Sequence, residues 1–357
     1  MNEDSRATER GTIGIDLGDR QSDLCVLDGT GEVVARTKAA TTKAGLAKAL
    51  KRRAGARVII EVGTHSPWVS RYLEGLGHEV VVANAARVRR IAEMEDKSDR
   101  IDAELLARLG RADVKILRPI KHRGEQVQRD RALLRVRDGL VRSRSSLVTQ
   151  ARSIAKSLGE RLPRCDAQNF AKRLDRDGLG ELFPGLGTIV RAVGELTQQI
   201  KGLDVDIEAV SRQRYPEMAR LRQVTGVGPI TSLAYVVTIE DPQRFARSRE
   251  VGPYIGLRPK RRQSGKADPE LRISKAGDPY LRRTLVQAAH YIIGVHGPDT
   301  ALKRFGERVK SRGGRSATKR AAVAVARKLA VLLHRLWVTK EKYEPLRGVA
   351  ATATAAA

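Results

Sequence analysis

Short apolar runs separated by turns fill the first 120 residues, and this pattern constrains the fold more than any other feature. Residues 28–31 (Asp-Gly-Thr-Gly) are a hairpin signal between the second and third runs. Three hairpin strands followed by alternating helices and strands predict an α/β layer with a mixed sheet. Strands are predicted at residues 12–18, 23–27, 32–38, 57–62, 79–83 and 114–117, and helices at residues 42–53, 68–76, 85–93 and 101–111.

Beyond Pro119 the pattern becomes helical. Residues 123–158 are charged, almost free of Gly and Pro, and carry apolar residues at helical spacing, among them Val136 and Leu158. With a second long helix predicted at residues 188–210, they predict an antiparallel helical hairpin or coiled-coil arm; a plain helical linker is the alternative. A mainly helical domain follows and ends in a basic helix. The predicted domains are residues 11–119, 120–215 and 216–345, with a disordered tail at residues 346–357.

The charge of the chain points to a polyanionic partner. Its formal net charge is +27 and its pI about 10.7. Such an excess repels itself unless phosphates neutralise it, and a basic surface without a ligand is the alternative. Aromatic residues make up only 4% of the chain, so contacts to backbone phosphates rather than base stacking should dominate.

Other features narrow the class of protein. No apolar stretch is long enough to span a bilayer and the polar N-terminus lacks a signal-peptide core, so we expect a cytoplasmic, nucleoid-associated protein. Cys25 and Cys165 are far apart and the histidines are scattered, which excludes a disulfide scaffold and a cysteine zinc site. A bound metal would therefore have oxygen ligands, which favours Mg²⁺ or Mn²⁺.

Four acidic residues form the first candidate site. Asp16 lies within the first apolar strand and Glu61 ends the fourth, where a carboxylate is unfavourable unless a cation or donor compensates it. Asp99 and Asp102 are three residues apart, so on a helix they share one face. Individually, Asp102 can be a solvated helix residue and Asp99 an N-cap. Together, the four match a ribonuclease H-like pattern and the needs of a two-metal phosphodiester site.

The segments around these acids resemble a known family. GIDLGDR, IIEVGT and KSDRIDAELLA are similar to the RuvC-like DEDD domain of bacterial insertion-sequence transposases, the bridge-RNA-guided recombinases. The resemblance implies that Asp16, Glu61, Asp99 and Asp102 are catalytic metal ligands.

A second set of signals lies in the C-terminal third. Gly226-Val227-Gly228 opens an apolar helix, where free N–H groups can bind phosphate as in a helix–hairpin–helix element; a simple interhelical turn is the alternative. Asp278-Pro279 predicts another helix start. Residues 251–290 carry nine Lys or Arg and three acids, which should bind a phosphate. The predicted nucleic-acid-binding residues are Gly226, Gly228, Arg261, Arg262, Lys266, Lys275, Arg282 and Arg283.

Ser264 lies in this basic, Gly-flanked loop and is therefore a candidate nucleophile, although serines in polar loops are common. The elements YxGLxP, SG and SKxGxxxLRR resemble, in this order, the transposase domain of the same family. That resemblance implies that Ser264 attacks DNA and forms a phosphoserine link. It also implies a guide RNA that selects target and donor by base pairing.

These observations predict a transposase or recombinase that cleaves and rejoins DNA with Mg²⁺ assistance. Because Ser264 and the acids belong to different domains, we expect a homo-oligomer, a dimer or tetramer, that can share one site between protomers. A RuvC-like endonuclease of the Holliday-junction resolvase type, using metal-activated water, is the main alternative. An architectural nucleic-acid-binding protein without catalysis is another.

Overall fold

A computed structural model describes residues 11–91, 99–260 and 271–347 of the chain. The chain divides into two compact units, Met1–Arg123 and Gly124–Ala357. Within the described residues, none of the helices combines the length and apolar character needed to cross a membrane.

The first unit is built on a five-stranded mixed sheet. Its strands are β1 (Thr12–Asp16), β2 (Gln21–Leu27), β3 (Val33–Ala40), β4 (Arg57–Glu61) and β5 (Glu79–Ala83). Their order in the sheet is β3-β2-β1-β4-β5. The first three strands pair antiparallel, whereas β4 pairs parallel to β1 and β5 parallel to β4. The predicted mixed sheet is therefore confirmed.

Local signals explain where these strands begin and end. In the β2–β3 turn, Asp28 Oδ1 accepts hydrogen bonds from the N–H groups of Thr30 (2.9 Å), Gly31 (2.9 Å) and Glu32 (3.0 Å). An aspartate that binds its own downstream backbone in this way closes a tight turn. The predicted hairpin at residues 28–31 is thus confirmed.

Four helices connect or follow these strands: α1 (Lys43–Leu50), α2 (Ser66–Gly75), α3 (Ala85–Ile91) and α4 (Asp99–Ala112). The prediction of a final strand at residues 114–117 was wrong, because Val114–Leu117 is a short 3₁₀ helix. Asp113 Oδ1 caps it by accepting from Lys115 N at 2.7 Å, and Arg118 ends it with a left-handed backbone (φ 45°). An aspartate cap favours a helical turn over an extended segment.

The sheet has a helix layer on each face. Ile13, Ile15, Val58 and Ile60 pack with buried residues of α1 and α2. On the other face, Ile59 packs with Leu106 of α4. Coverage on both faces explains why the central strands read as nearly continuous apolar runs.

The second unit contains two long helices, α5 (Glu125–Ser157) and α7 (Leu186–Arg214). They run antiparallel, since Asp130 of α5 accepts from Tyr215 just beyond α7, while Arg144 further along α5 donates to Thr197 (3.2 Å). The short helix α6 (Phe170–Arg176) lies between them in the chain.

The predicted apolar face of α5 is partly wrong. Val136 and Leu158 are 54% and 58% exposed. The buried positions are instead Asp130, Leu134, Val148, Ala151 and Ala155. Small alanines allow close approach of another helix, and an ion pair compensates the buried aspartate, so hydrophobicity alone misplaces the contact face.

The remaining helices of the second unit surround its largest core, in which Leu233, Tyr235, Leu285 and Leu329 are fully buried. They are α8 (Met218–Leu221), α9 (Pro229–Ile239), α10 (Val251–Tyr254), α11 (Pro279–Ile293), α12 (Ala301–Lys310) and α13 (Ala317–Thr339). Helix α13, the basic helix predicted at the end of this domain, buries one face and exposes Lys319, Arg320, Arg327 and Lys328.

Both cysteines are free thiols, and Cys25 is buried whereas Cys165 is half-buried. Burial, followed by the nearby Glu104 carboxylate, raises the pKa of Cys25. Cys25 is therefore a packing residue of the sheet rather than a reactive thiolate.

Candidate phosphodiester-processing site

Asp16 and Glu61 end two neighbouring parallel strands. The register pairs Ile15 of β1 with Ile60 of β4, and each of these is followed directly by one of the two acids. Both acidic residues are half-buried. Residues that follow a parallel pair in register have the same side-chain orientation, so the two carboxylates lie on one face of the sheet.

That face is the one covered by helix α4. A Cβ on Gly14 would overlap Ala103 O and lie 2.6 Å from Ala107 N, so α4 packs directly on the backbone of β1. Because side chains alternate along a strand, Asp16 is on the same face as Gly14. Only glycine at position 14 permits this close approach.

Helix α4 runs from the carboxyl end of β1 towards its amino end. Glu104 pairs with Arg36, whose register partner is Cys25 in the middle of the sheet. Arg111, two turns later, donates to Gly29 O (2.8 Å) in the turn beyond β2. The first turn of α4, which begins at Asp99 and contains the half-buried Asp102, therefore lies towards the strand ends that carry Asp16 and Glu61.

The described side chains do not form a complete ligand set. Among the described residues, no three His, Cys, Asp or Glu side chains lie close enough together to hold a metal ion. The side chain of Asp99 lies outside the described residues. The four-carboxylate metal site stays a prediction, and its all-oxygen donor set suits a hard divalent cation.

Asp23 is an acid at this end of the sheet that sequence reasoning missed. It is the register partner of Asp16 on β2, it is 7% exposed, and it lies 3.4 Å from Lys38 Nζ. Residues opposite each other in an antiparallel pair share a face, so Asp23 adds a third carboxylate on the α4 side. Asp23 becomes recognisable once β1 and β2 are paired, because it then lies opposite Asp16.

A histidine follows β4 at the same end of the sheet. Trp68 Nε1 donates to His65 Nδ1 (3.1 Å), and His65 Nε2 lies 3.3 Å from Asp19 Oδ1. Because an indole nitrogen can only donate, Nδ1 must accept, which leaves the proton on Nε2. The Nε2–H group of His65 is thus directed at Asp19.

A second histidine of this unit has a structural role. His122 Nε2 and Ser66 Oγ are 2.9 Å apart, and Ser66 is fully buried at the start of α2. Burial lowers the pKa of His122, and the charges of Arg71 and Arg123 lower it further. The hydrogen bond between the neutral His122 and Ser66 therefore holds the last residues of this unit against the start of helix α2.

In the second unit, the predicted helix start after Gly226-Val227-Gly228 is confirmed, because α9 begins at Pro229. Gly226 has a φ of +88°, and a Cβ there would lie 3.2 Å from Ala288 O of α11. Gly228 is exposed and provides no side-chain cap. Binding of phosphate at this turn stays a prediction.

The segments on either side of residues 261–270 pair with each other. Lys260 N donates to Arg272 O (2.9 Å), Ser274 N to Arg258 O (2.8 Å), and Pro259 and Ile273 form an antiparallel bridge. Gly256 has a φ of +78°, and a Cβ there would lie 2.5 Å from Ala276 N. Ser264, Arg261, Arg262 and Lys266 lie outside the described residues, between these two segments.

Arg282 and Arg283 have contacts within the protein that the sequence did not indicate. Arg282 Nη1 donates to Ile255 O (2.9 Å) and Ala276 O (3.0 Å), which joins the two paired segments. Arg283 forms an ion pair with Asp138 of α5. Lys275, in contrast, is exposed and has no ion-pair partner among the described residues. No periodicity could have revealed the role of Arg282, since its partners are backbone carbonyls.

Helix α11 starts where the sequence predicted. Asp278 is its N-cap, with Oδ1 accepting from Leu281 N at 2.8 Å, and Pro279 occupies the first turn. The same carboxylate pairs with Arg131 of α5. Asp278 is therefore a structural acid that anchors the end of the paired segments.

An α/β unit with carboxylates at its central strand ends, followed by a cationic helical unit, has the make-up of an enzyme that acts on nucleic-acid phosphates. Comparison with protein families identifies it further. The model of a DEDD-type IS110 transposase domain matches residues 13–159, and that of the transposase IS116/IS110/IS902 family matches residues 218–305. The chain belongs to this family of transposases, and it is an enzyme.

Individual relatives match this chain along most of their own lengths. A putative transposase of Sinorhizobium fredii is 31% identical over 321 residues, covering 80% of this chain and 79% of the relative. The transposase for insertion sequence element IS1111A of Coxiella burnetii is 27% identical over 351 residues, 93% of this chain and 90% of the relative. The transposase for insertion sequence element IS1328 of Yersinia enterocolitica is 29% identical over 325 residues, which cover 89% of this chain and 94% of the relative.

Proposed function

We propose that this transposase cleaves and rejoins DNA strands at the ends of an insertion sequence, and that the acids at the end of the sheet form its metal-dependent centre. The observation that carries this proposal is the placement of Asp16 and Glu61 on adjacent parallel strands, on the face where α4 packs. Asp102 is in the first turn of that helix. Carboxylates that share one face at adjacent strand ends can supply oxygen ligands to a single divalent cation.

In this proposal, Asp16, Glu61, Asp99 and Asp102 hold Mg²⁺, with Mn²⁺ as a substitute. The oxygen donors fit such a cation, which supplies charge neutralisation for the attacking and leaving oxygens of the phosphate. The packing of Gly14 against α4 keeps the helix at a fixed height over β1, and thereby keeps Asp102 near the strand ends.

Ser264 is the proposed nucleophile. Its Oγ forms a bond to phosphorus as the bond from phosphorus to the leaving deoxyribose oxygen breaks, and that oxygen takes up the hydroxyl proton. The hydroxyl of a DNA strand then attacks the phosphoserine: its oxygen bonds to phosphorus, the bond from phosphorus to Ser264 Oγ breaks, and Oγ takes up the hydroxyl proton. This second step restores Ser264 and rejoins the DNA. The paired segments at residues 256–260 and 272–277 support this proposal, because they give the loop a defined base.

The Ser264→Ala variant tests this assignment. We expect loss of strand exchange and of the covalent protein–DNA adduct, measured by denaturing electrophoresis of protein incubated with labelled element-end DNA. Ser274→Ala, in the paired segments, is the control and should retain both. A Ser264→Ala protein that still cuts DNA would establish the alternative function, a resolvase-type endonuclease using activated water.

We further propose that a structured bridge RNA guides the enzyme and that the active form is a homo-oligomer, a dimer or tetramer. The net charge of +27 supports binding of more nucleic acid than one DNA site. If the proposal holds, recombination in a purified system requires RNA transcribed from the DNA beside the reading frame. Full activity without RNA would contradict it.

Several finer assignments complete the proposal. The first unit would be a ribonuclease H/RuvC-like domain, α5 and α7 a coiled-coil arm, and the Gly226–Gly228 turn part of a helix–hairpin–helix-like element. DNA or RNA phosphates would contact residues of that turn and of the basic loop. These residues are Gly226, Gly228, Arg261, Arg262, Lys266, Lys275, Arg282 and Arg283.

A further inference from the structure

The connection between α12 and α13 concentrates positive charge on an exposed turn. Residues 308–320 contain six Lys or Arg and no acid. All six are exposed. We call this surface the α12–α13 basic turn; its cations are Arg308, Lys310, Arg312, Arg315, Lys319 and Arg320.

These cations differ from others nearby in having no acidic partner. Arg304, one turn before, pairs with Asp299, and Lys303 donates to Gly297 O at 2.7 Å. Among the described residues, no cation of the basic turn forms an ion pair, and Arg320 donates only to the backbone oxygen of Gly313. The positive charge of the turn is therefore available to an external anion.

The backbone of the turn stands clear of the rest of the unit. Gly313 and Gly314 have φ values of +71° and +88°, which favour glycine. A Cβ on Gly313 would meet nothing within 4 Å. Glycine is thus needed there for the shape of the turn rather than for packing, and a large ligand can reach the surface.

The positions of two of the cations are unfavourable in the protein alone. Lys319 and Arg320 lie in the first turn of α13, at the positive end of the helix macrodipole. That turn contains no acid, and Ser316 makes no capping hydrogen bond with its side chain. A negatively charged ligand would relieve this repulsion.

The absence of aromatic residues indicates which polyanion fits. No Phe, Tyr or Trp occurs between Phe305 and Trp337. Binding of single strands relies on aromatic stacking, whereas binding of a duplex through its backbone needs only cations. We propose that the α12–α13 basic turn contacts the phosphate backbone of double-stranded DNA, an inference that rests on the proposed function. It lies beyond residues 218–305, which the family model matches.

The test compares two triple variants of the full chain. Arg312→Gln, Arg315→Gln and Lys319→Gln remove three charges from the basic turn. The control, Lys51→Gln, Arg52→Gln and Arg53→Gln, removes two arginines and one lysine after α1 in the first unit. Fluorescence anisotropy with a labelled DNA duplex and a matched RNA duplex gives the affinity at several salt concentrations, and thermal melting gives the stability.

We expect the basic-turn variant to bind DNA more weakly than the unmodified protein. The slope of log K against log[salt] should become shallower by about three units, one for each cation removed. The control should keep the slope of the unmodified protein. The free basic-turn variant should melt at the same or a higher temperature, since repulsion at the start of α13 is removed.

Four outcomes would overturn the inference: an unchanged DNA slope, an equal change in the control, a lower melting temperature, or a loss confined to the RNA duplex. If the unmodified protein failed to bind any DNA, the proposed function itself would be wrong. The two failures are thus distinguishable.

Discussion

The acids of the two units differ in where they lie and in the contacts that define them. In the second unit, the buried Asp130 and Asp278 each form an ion pair with an arginine, Arg214 and Arg131. In the first unit, Asp16 of β1 lies opposite Asp23 of β2. Glu61 follows Ile60, which is the residue of β4 that pairs with Ile15. The two acids of the second unit are thus compensated by arginine within the fold, whereas Asp16 and Glu61 are set apart by their place at the ends of two adjacent central strands.

This difference separates structural acids from candidate functional ones. A buried carboxylate that meets arginine and tyrosine donors is satisfied, and its removal should affect folding first. The strand-end acids are the proposed metal ligands, and their removal should affect catalysis first.

The largest effect is expected from Asp16→Asn or Glu61→Gln. Loss of even an outer partner of a metal ligand costs about 10–100-fold, so loss of a ligand should slow DNA cleavage by more than about a hundredfold. Stability should change little, because each substitution keeps the shape of the side chain and removes only its charge. Cleavage of element-end DNA and thermal melting measure the two effects.

Glu79→Gln is the matched control for this first prediction. Glu79 is at the amino end of β5, where it pairs with Arg57, so it lies at the opposite end of the same sheet. Cleavage should be nearly unchanged in this variant. Equal activity of Glu61→Gln and Glu79→Gln would show that position at the strand end is irrelevant.

Next in size is the effect of Gly14→Ala. The new methyl group would overlap Ala103 O and Ala107 N, which are backbone atoms that cannot move aside. We expect a loss of about 3 kcal/mol of unfolding free energy, the upper end for overpacking. Gly139→Ala in α5 is the control: it meets open space, and should stabilise by about 0.5–1 kcal/mol. Urea denaturation measures both, and a tolerated Gly14→Ala would disprove the close packing of α4.

A smaller effect on stability is expected from Asp130→Ala. Its carboxylate is 4% exposed, accepts from Tyr215 Oη at 2.7 Å and pairs with Arg214. Breaking a buried pair typically costs 3–5 kcal/mol, but Arg214 is 42% exposed and can reach water, so we expect about 2 kcal/mol. If the Asp130→Ala variant kept its stability but lost DNA cleavage, Asp130 would be a functional acid, and the proposed contrast between the units would be wrong.

Much of the fold was predictable from local patterns. Strand-length apolar runs, the Asp28 turn and the Asp278-Pro279 start each correspond to an element of the structure. The failures arise where a few local contacts outweigh the pattern. Asp113 and Arg118 turn an apolar run into a 3₁₀ helix, and the contact face of α5 is set by small residues and Asp130.

The candidate site was predictable only in part. Asp16 and Glu61 stand out because acids are costly in apolar strands. Asp23 became recognisable only through the register of β1 and β2, and the role of Arg282 only through backbone carbonyls that are distant in sequence. Such tertiary contacts leave no periodic signal in one sequence.

The central claim is that the acids ending β1 and β4 hold a divalent cation. Isothermal titration calorimetry of the full chain with Mn²⁺ tests it most directly, because it needs neither DNA nor RNA. The account predicts binding by the unmodified protein and by Glu79→Gln, and loss of binding in the Asp16→Asn, Glu61→Gln double variant. Equal Mn²⁺ affinity in the double variant and the unmodified protein would contradict it.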